Sequence, residues 1–463
     1  MAPGRLSILH VIHDFLPRYR AGSEIYAHEL CRELARRHHV TVLCAEYDPA
    51  RRHGHVAWRV HDGISVVEVA NNWVCRSFED TYRSPGMTGQ IAHVLHAVQP
   101  DVVHVHSLLN LSFDLPALAR ARGIPVVATL HDYTLVCPSG GQRIHVAEQH
   151  VCDVIDADRC ARCFKQSPFH AQLTFAGAAA TSPRLLGRAG LALVRRYPRL
   201  AARVANAAHR LAPFTTTAVD VTQRLEAARK VFDDVDLFVA PSPSIAFEFE
   251  RLGIERSKLR VSDYGFVPLQ RRSPARRRGR LRIGYAGILV WHKGVHVLIE
   301  AVRHLPPDAY ELKVFGSLEV CPDYCGQLQA RAAGLPVRFM GAFEREAAAD
   351  VYDQMDVLVV PSLWLENSPL VIHEAFMAGV PVVGSRIGGI PDLLGHGRCG
   401  VLYDPVSPTE LAAVLQQLIE EPERLDAFAR RLPPVKPMAA DAREWESIYR
   451  QVLASRAADR PGR

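Results

Sequence analysis

The sequence predicts an α/β protein of two doubly wound, Rossmann-like domains facing across a cleft, with a helical insertion in the first. Three observations predict it. Short apolar runs rich in Val, Ile and Leu alternate with amphipathic stretches along the whole chain. Such runs suit parallel strands covered on both faces, and the stretches between them suit crossover helices. The runs form two series, separated by the polar, basic stretch "QRRSPARRRGR" at 270–280. A chain of 463 residues is also long enough for two independent cores.

The first series is "LSILHVIH", "HVTVLCAEY", "ISVVEVA", "DVVHVHS", "IPVVATLHD", "VDLFVAPS" and "KLRVSDYG". It assigns residues 1–270 to an N-terminal, acceptor-side domain. Within it, 165–230 breaks the alternation as a helical insertion, with arginines at 184, 188, 195, 196, 199, 203 and 210 among Leu, Ala and Val. That segment packs on the first domain or touches anionic lipid. Residues 271–280 form an exposed basic linker. The second series is "LRIGYAG", "ELKVFGS", "VRFMGA", "VLVVPS", "VPVVGS" and "CGVLYD". It assigns 281–435 to a C-terminal Rossmann-like domain. Residues 436–457 read as a last amphipathic helix packing back on the first domain, with Trp445, Ile448 and Leu453 inward.

A net charge of +6, with 22% charged and 48% hydrophobic residues, describes an ordinary globular protein. It suits an anionic ligand or an acidic membrane surface and falls far short of the excess that nucleic acid would demand. No run reaches the roughly eighteen apolar residues of a membrane span. The N-terminal "LSILHVIH" reads as a buried strand, not a signal peptide, so the expected location is cytoplasmic, with a peripheral contact on the inner membrane surface as an option.

The most informative stretch is "LWLENSPLVIHEAFMAGVPVVGSRIGGIPDL", 363–393. Asn367 or Ser368 can cap a helix, with Pro369 and Leu370 in its first turn and Gly379 ending it. Glu374 then falls on a helix that is apolar nearly all round, where a carboxylate is costly unless hydrogen-bonded. Two adjacent ribose hydroxyls are one natural partner. Arg386 or backbone amides are the other. Glu366 lies before the cap, where helix N-termini attract anions. Gly388 and Gly389 permit a close backbone approach.

Glu366 and Glu374, inside "PSLWLENSPLVIHEAFMAGVPVV" and followed by "GGIPD", resemble the donor site of retaining GT-B glycosyltransferases of family 4. The resemblance covers most of both halves. It implies that Glu374 binds the ribose and that Glu366 faces the transferred sugar, with Asn367, Ser368, Pro369 and Leu370 lining the donor and the Gly388–Gly389 loop closing on it. In "GYAGILVWHKGVHVLIEA" it implies that Lys293 cradles the diphosphate. The arginine usual after the glycine is Ile288 here. In "PRYRAGSEIYAHEL", Gly22 and Ser23 would offer backbone N–H groups to the diphosphate, with Ala21 in place of the usual first glycine. Arg18 or Arg20 could supply the missing cation, with Arg18 on the acceptor side. In "VVATLHDYTLVCP", His131 matches the histidine that reaches the sugar, and His106 of "HVHS" could line the acceptor side.

The resemblance therefore implies a nucleotide-diphosphate sugar as donor, a sugar, lipid-linked or polysaccharide acceptor, and no catalytic cofactor, with His131, Lys293 and Glu366 as the catalytic group. Asp156/Asp158 and Asp234/Asp236 are read as decoys and not as metal-binding triplets. The competing readings are a silent sugar-nucleotide-binding protein, which Ile288 favours, and a nucleotide-sugar epimerase on the same architecture. Separately, Cys137, Cys152, Cys160 and Cys163 lie close together, two of them as C-x2-C. Four such thiols suit a structural tetrahedral zinc, with free thiols or a redox pair as alternatives.

Overall fold

The computed structural model describes residues 4–48, 50–145, 148–167, 170, 173, 214–269 and 279–458. The arginine-rich stretch 184–210 and linker residues 271–278 lie outside them. The chain divides into two compact units: Met1–Pro241 with Ala246–Gly265 and Met438–Arg463, and Ser242–Ile245 with Phe266–Pro437. Among the described residues, no helix is long and apolar enough to cross a membrane.

The first unit carries strands β1 (Ser7–Ile12), β2 (His39–Glu46), β3 (Val56–His61), β4 (Ile64–Ala70), β5 (Val102–Val105), β6 (Val126–Thr129), β9 (Leu237–Ala240) and β10 (Leu259–Val261) in one sheet, plus a hairpin of β7 (Ile144–His145) and β8 (His150–Val151). The sheet order is β10-β9-β6-β5-β1-β2-β4-β3. Its pairs are parallel except β3–β4. All seven runs of the first sequence series supply strands of this sheet. Strand β3 is an addition: "VAWRVH" alternates half-buried and exposed residues, as an edge strand does. The end of the expected insertion is instead a regular crossover helix, Ala218–Asp234. It starts on a Thr217–Asp220 capping box and buries Val221, Ala227, Val231 and Phe232. The last helix, Met438–Ala458, belongs to this unit and buries Trp445 and Ile448, while Leu453 is half-buried.

The second unit is a six-stranded parallel sheet of β11 (Leu281–Ala286), β12 (Tyr310–Phe315), β13 (Val337–Gly341), β14 (Val357–Val360), β15 (Val382–Ser385) and β16 (Gly400–Tyr403), in the order β13-β12-β11-β14-β15-β16. Side chains alternate between two cores. Val357 and Val359 join Leu298, Leu328 and Leu415 on one face. Leu358 and Val360 join Tyr352, Ile372 and Phe376 on the other. The period of two along β14 explains why the run "VLVV" is apolar throughout.

In each sheet the strand order reverses beside the first strand of its series, between β1 and β5 and between β11 and β14. Open α/β sheets bind ligands outside the carboxyl ends of the strands at such points. The candidate residues cluster there.

Candidate active site

In the second unit, the turn after β11 runs through Trp291–Lys293 to Gly294, which holds φ at 71° and starts the helix Val295–Val302. A Cβ on Gly294 would run into the Pro361 carbonyl oxygen at the end of β14. This contact sets the turn that carries Lys293. Gly294→Ala is therefore expected to destabilise the second unit by about 3 kcal/mol, from positive-φ strain plus a backbone clash. Denaturant titration followed by tryptophan fluorescence checks it.

Lys293 Nζ lies 2.6 Å from Glu366 Oε1 and 5.0 Å from the centre of the Trp364 ring. Ser362 Oγ donates to the same Glu366 oxygen at 2.6 Å. Glu366 is buried, and its carbonyl accepts from Gly389 N–H at 2.7 Å. The two sequence glycines do make a close approach, and what they approach is this backbone. Added Cβ atoms on Gly388 and Gly389 would strike the main chain of Glu366 and Asn367, and Gly388 holds φ at 57°. The loop thus fixes where Glu366 points.

The following helix is Leu370–Ala378, closed by Gly379 at φ 76°. Pro369 is its N-cap residue, so the cap position falls one residue after Ser368 and two after Asn367. Ser368 Oγ instead pairs with His373 Nε2 at 2.8 Å. Glu374 is half-buried and accepts from Tyr352 O–H at 2.8 Å through Oε2. Among the described residues none donates to Oε1. Arg386 is not its partner, since that guanidinium faces Asp404 at 3.5 Å. Burial raises the Glu374 carboxyl above its ordinary range, while Tyr352 and Arg345 pull the other way. Ile288 stands 41% exposed on the β11 turn, its carbonyl held by Tyr285 O–H at 2.9 Å, so no cation occupies that position.

In the first unit, Gly22 and Ser23 open the helix Gly22–Ala35 with Ala21 as N-cap, as expected. The next residue, Glu24, is buried and pairs with His13 Nε2 at 3.0 Å. Burial works against the His13 imidazolium, but the Glu24 hydrogen bond and charge, with Asp132 and Asp14, outweigh it and raise the His13 pKa. Burial likewise works against the Glu24 carboxylate, and His13 reverses it, so Glu24 is lowered. Both shifts describe an ion pair. Sequence reasoning missed this pair. Its signal was present: a histidine ending the first strand, and a glutamate directly after Gly22 and Ser23.

His131 lies at the end of β6, but both ring nitrogens are spent on protein: Nδ1 on Tyr264 O–H at 2.8 Å and Nε2 on His106 Nδ1 at 2.9 Å. His106 Nε2 continues to His10 Nδ1 at 3.0 Å. His106 is thus a buried link in a chain and does not line an open acceptor face. His104 sits beside it, bonded to Thr129 and Tyr449 at 2.8 Å each. Burial pushes His10 and His131 down to about 3 and His104 and His106 well below their ordinary value, so all four are neutral. Arg18 is also committed, to Glu46 at 2.8 Å and Glu68 at 2.6 Å. It is therefore not a spare cation for a donor.

The aspartate triplets serve structure. Asp156 caps the helix Ala157–Gln166, Asp234 meets Arg120, and Asp236 holds Arg456 and the Val126 N–H.

Comparison with known proteins matches these units one by one. The family model described as Glycosyltransferase Family 4 covers residues 20–168, and that described as Glycosyl transferases group 1 covers 267–432. The D-inositol 3-phosphate glycosyltransferase of Corynebacterium diphtheriae is 30% identical over 179 residues, 36% of this chain and 42% of that protein. The enzyme of the same name from Paenarthrobacter aurescens is 29% identical over 224 residues, 45% of this chain and 55% of that one. The chain thus spans about half the length of the curated relatives it matches. Anabaena HepE, solved in complex with UDP and glucose, superposes with a TM-score of 0.59 at 18% identity, covering 97% of this chain and 99% of HepE. Sucrose-phosphate synthase from Thermosynechococcus elongatus does so at 0.63 and 16%, covering 97% and 100%. The chain thus matches the glycosyltransferases of family 4 in its first unit and the glycosyl transferases of group 1 in its second, on the fold of these solved enzymes over nearly its whole length.

Proposed function

We propose that the chain transfers a sugar from a nucleotide-diphosphate sugar to an acceptor hydroxyl, with retention at the anomeric carbon. The observation that carries the reading is the Lys293–Glu366 pair beside the β11–β14 switch point, with Glu374 on the helix that follows β14, within the part matched as glycosyl transferases group 1. Glu374, aligned by Tyr352, accepts the ribose hydroxyls on its remaining oxygen. Lys293 meets the diphosphate as charge builds on the leaving group, a task for preorganised cations and dipoles. Asn367, Ser368, Pro369 and Leu370 line the donor, and Glu366 turns its carboxylate to the sugar. His131 reaches the sugar in this reading by releasing one of its two bonds, to Tyr264 or to His106. The amides at Gly22 and Ser23 add fixed dipoles. No side chain is assigned as a covalent nucleophile, and the departing phosphate serves as the base.

The uridine nucleotide named for HepE makes UDP-sugars the first donors to test. A lipid-linked or polysaccharide acceptor and a peripheral contact with the cytoplasmic face of the membrane belong to the same reading, resting on the arginines at 184–210. The test is release of nucleoside diphosphate from a panel of nucleotide sugars, with the anomeric configuration of the product read by NMR. Glu374→Ala is expected to weaken donor binding about tenfold or more, a loss of one to two hydrogen bonds to a charged acceptor. Wild-type affinity should also fall as pH drops toward the raised pKa of Glu374, because the hydroxyls need the carboxylate form. Unchanged affinity in Glu374→Ala sinks the ribose assignment. Ile288 favours one other reading, a protein that binds sugar nucleotides without turnover. Binding with no diphosphate released across the panel would select it, and sugar isomers without transfer would select an epimerase.

A further inference from the structure

The segment after His131 gathers four thiols that the transfer reaction does not use. Cys137 follows β6, Cys152 follows β8, and Cys160 and Cys163 sit one turn apart on the helix Ala157–Gln166. The backbone pins both loop positions: Cys137 N–H donates to Tyr133 at 2.8 Å and Cys152 N–H to Arg143 at 2.8 Å. None of the four is in a disulfide, Cys163 Sγ donates to the Ile144 carbonyl at 3.5 Å, and all four line one cavity of about 20 Å³, room for a single water-sized occupant.

A second observation points the same way. Arg224 is buried, and its guanidinium donates only to the carbonyls of Leu135 and Thr134 and lies over the Tyr82 and Phe113 rings. Among the described residues no carboxylate pairs with it. Its helix, Ala218–Asp234, packs against the helix that carries Cys160 and Cys163, and the Leu135 carbonyl it holds lies two residues before Cys137. A buried cation without a counter-anion is costly. The neighbours able to supply negative charge are the thiols, provided they ionise.

We propose that Cys137, Cys152, Cys160 and Cys163 bind one zinc ion as a tetrathiolate, which ties the β7–β8 hairpin and the helix Ala157–Gln166 to the segment following His131 and balances the charge of Arg224. Each Zn–S bond forms as a thiol gives its proton to water. Zn²⁺ with four thiolates leaves a net charge of −2 beside the guanidinium. The sulfurs draw in from the cavity wall to zinc–sulfur distances of about 2.3 Å. Nothing is oxidised or reduced. With no position left for water, the role is structural and not catalytic.

The full-length protein, purified without chelator, is expected to carry about one zinc per chain by elemental analysis. Replacement by Co²⁺ should give the thiolate charge-transfer band and the intense visible bands of a tetrahedral sulfur site. Cys160→Ser should release zinc to a chromogenic chelator about tenfold more readily, while the double variant Cys321→Ser, Cys325→Ser keeps it. Less than about half an equivalent of zinc together with no cobalt–thiolate spectrum in the wild type overturns the site. So does a disulfide among the four cysteines, detected by mass after thiol blocking. Neither readout needs turnover, so failure here leaves the transferase reading standing.

Discussion

Glu366→Gln is expected to lower the rate of sugar transfer by about 10²–10³, with donor affinity changed only a few-fold, the size of loss seen when one preorganised electrostatic group is removed. The side chain keeps its shape, so the Ser362 hydroxyl can still donate to the carbonyl oxygen. What disappears is the negative charge 2.6 Å from Lys293. That charge helps hold the ammonium over the Trp364 ring. In the substitution Lys293 gains freedom that it must surrender again in the transition state. The cost therefore falls on turnover more than on binding. Initial rates of diphosphate release against donor concentration check it. A turnover within threefold of wild type removes Glu366 from the catalytic group.

Acidification is expected to destabilise the first unit steeply. His10, His104 and His106 are buried, His131 is half-buried, and all four are neutral, with pKa values pushed far below the ordinary 6.5. Unfolded, each takes a proton as the pH falls through about 6.5. Below that value the unfolded state binds more protons than the folded one, so stability falls as pH falls. The loss begins near 6.5 and continues until the folded values are reached, near 3 for His10 and His131. Each residue contributes at most about 1.4 kcal/mol per pH unit, so the four together approach about 5 kcal/mol per unit. The His13–Glu24 pair opposes this in part. With its pKa raised, His13 adds stability that is present below about 6.5 and lost as pH rises. One opposing group against four leaves the sign unchanged. A drop in Tm of about 10 °C or more between pH 7.5 and 5.5 is the expected result. Equal Tm at the two values would mean that the imidazole chain accepts a proton without cost.

Central strands such as Val126–Thr129 and Val357–Val360 were legible because their apolar runs suit doubly covered parallel strands. Strand β3 escaped because an edge strand keeps charged residues, and Arg59 on it serves Glu68 across the pair. In the site, Glu366, Glu374, Lys293 and the glycines could be found from their local pattern. Their partners could not. Lys293 and Glu366 stand 73 residues apart, Tyr352 and Glu374 stand 22 apart, and Arg18 and Glu68 stand 50 apart. Nothing in a linear pattern says that Arg18 is consumed by two carboxylates, or that both nitrogens of His131 are occupied. These facts depend on which strands lie side by side. The His13–Glu24 pair is different. Both residues flank recognised features, and weighing a strand-end histidine against the acid after Gly22 and Ser23 would have found it.

The helix Met438–Ala458 is the last helix among the described residues, yet it belongs to the unit whose sheet begins at Ser7. Trp445 donates to Tyr26 O–H at 2.9 Å, Asp441 accepts from the same hydroxyl at 2.8 Å, and Tyr449 bonds His104. During vectorial synthesis, then, the domain that emerges first is the last to be completed. Its opening strands leave the ribosome with Tyr26 and His104 uncovered and wait while the whole second domain is made. The usual order, in which the N-terminal domain folds first and templates the rest, is reversed here for the final closure. The nascent first half needs protection for as long as roughly two hundred further residues take to translate, on the order of ten seconds or more at ordinary elongation rates. A messenger cut short of this helix would yield a chain containing every strand of the first sheet and no means of sealing it.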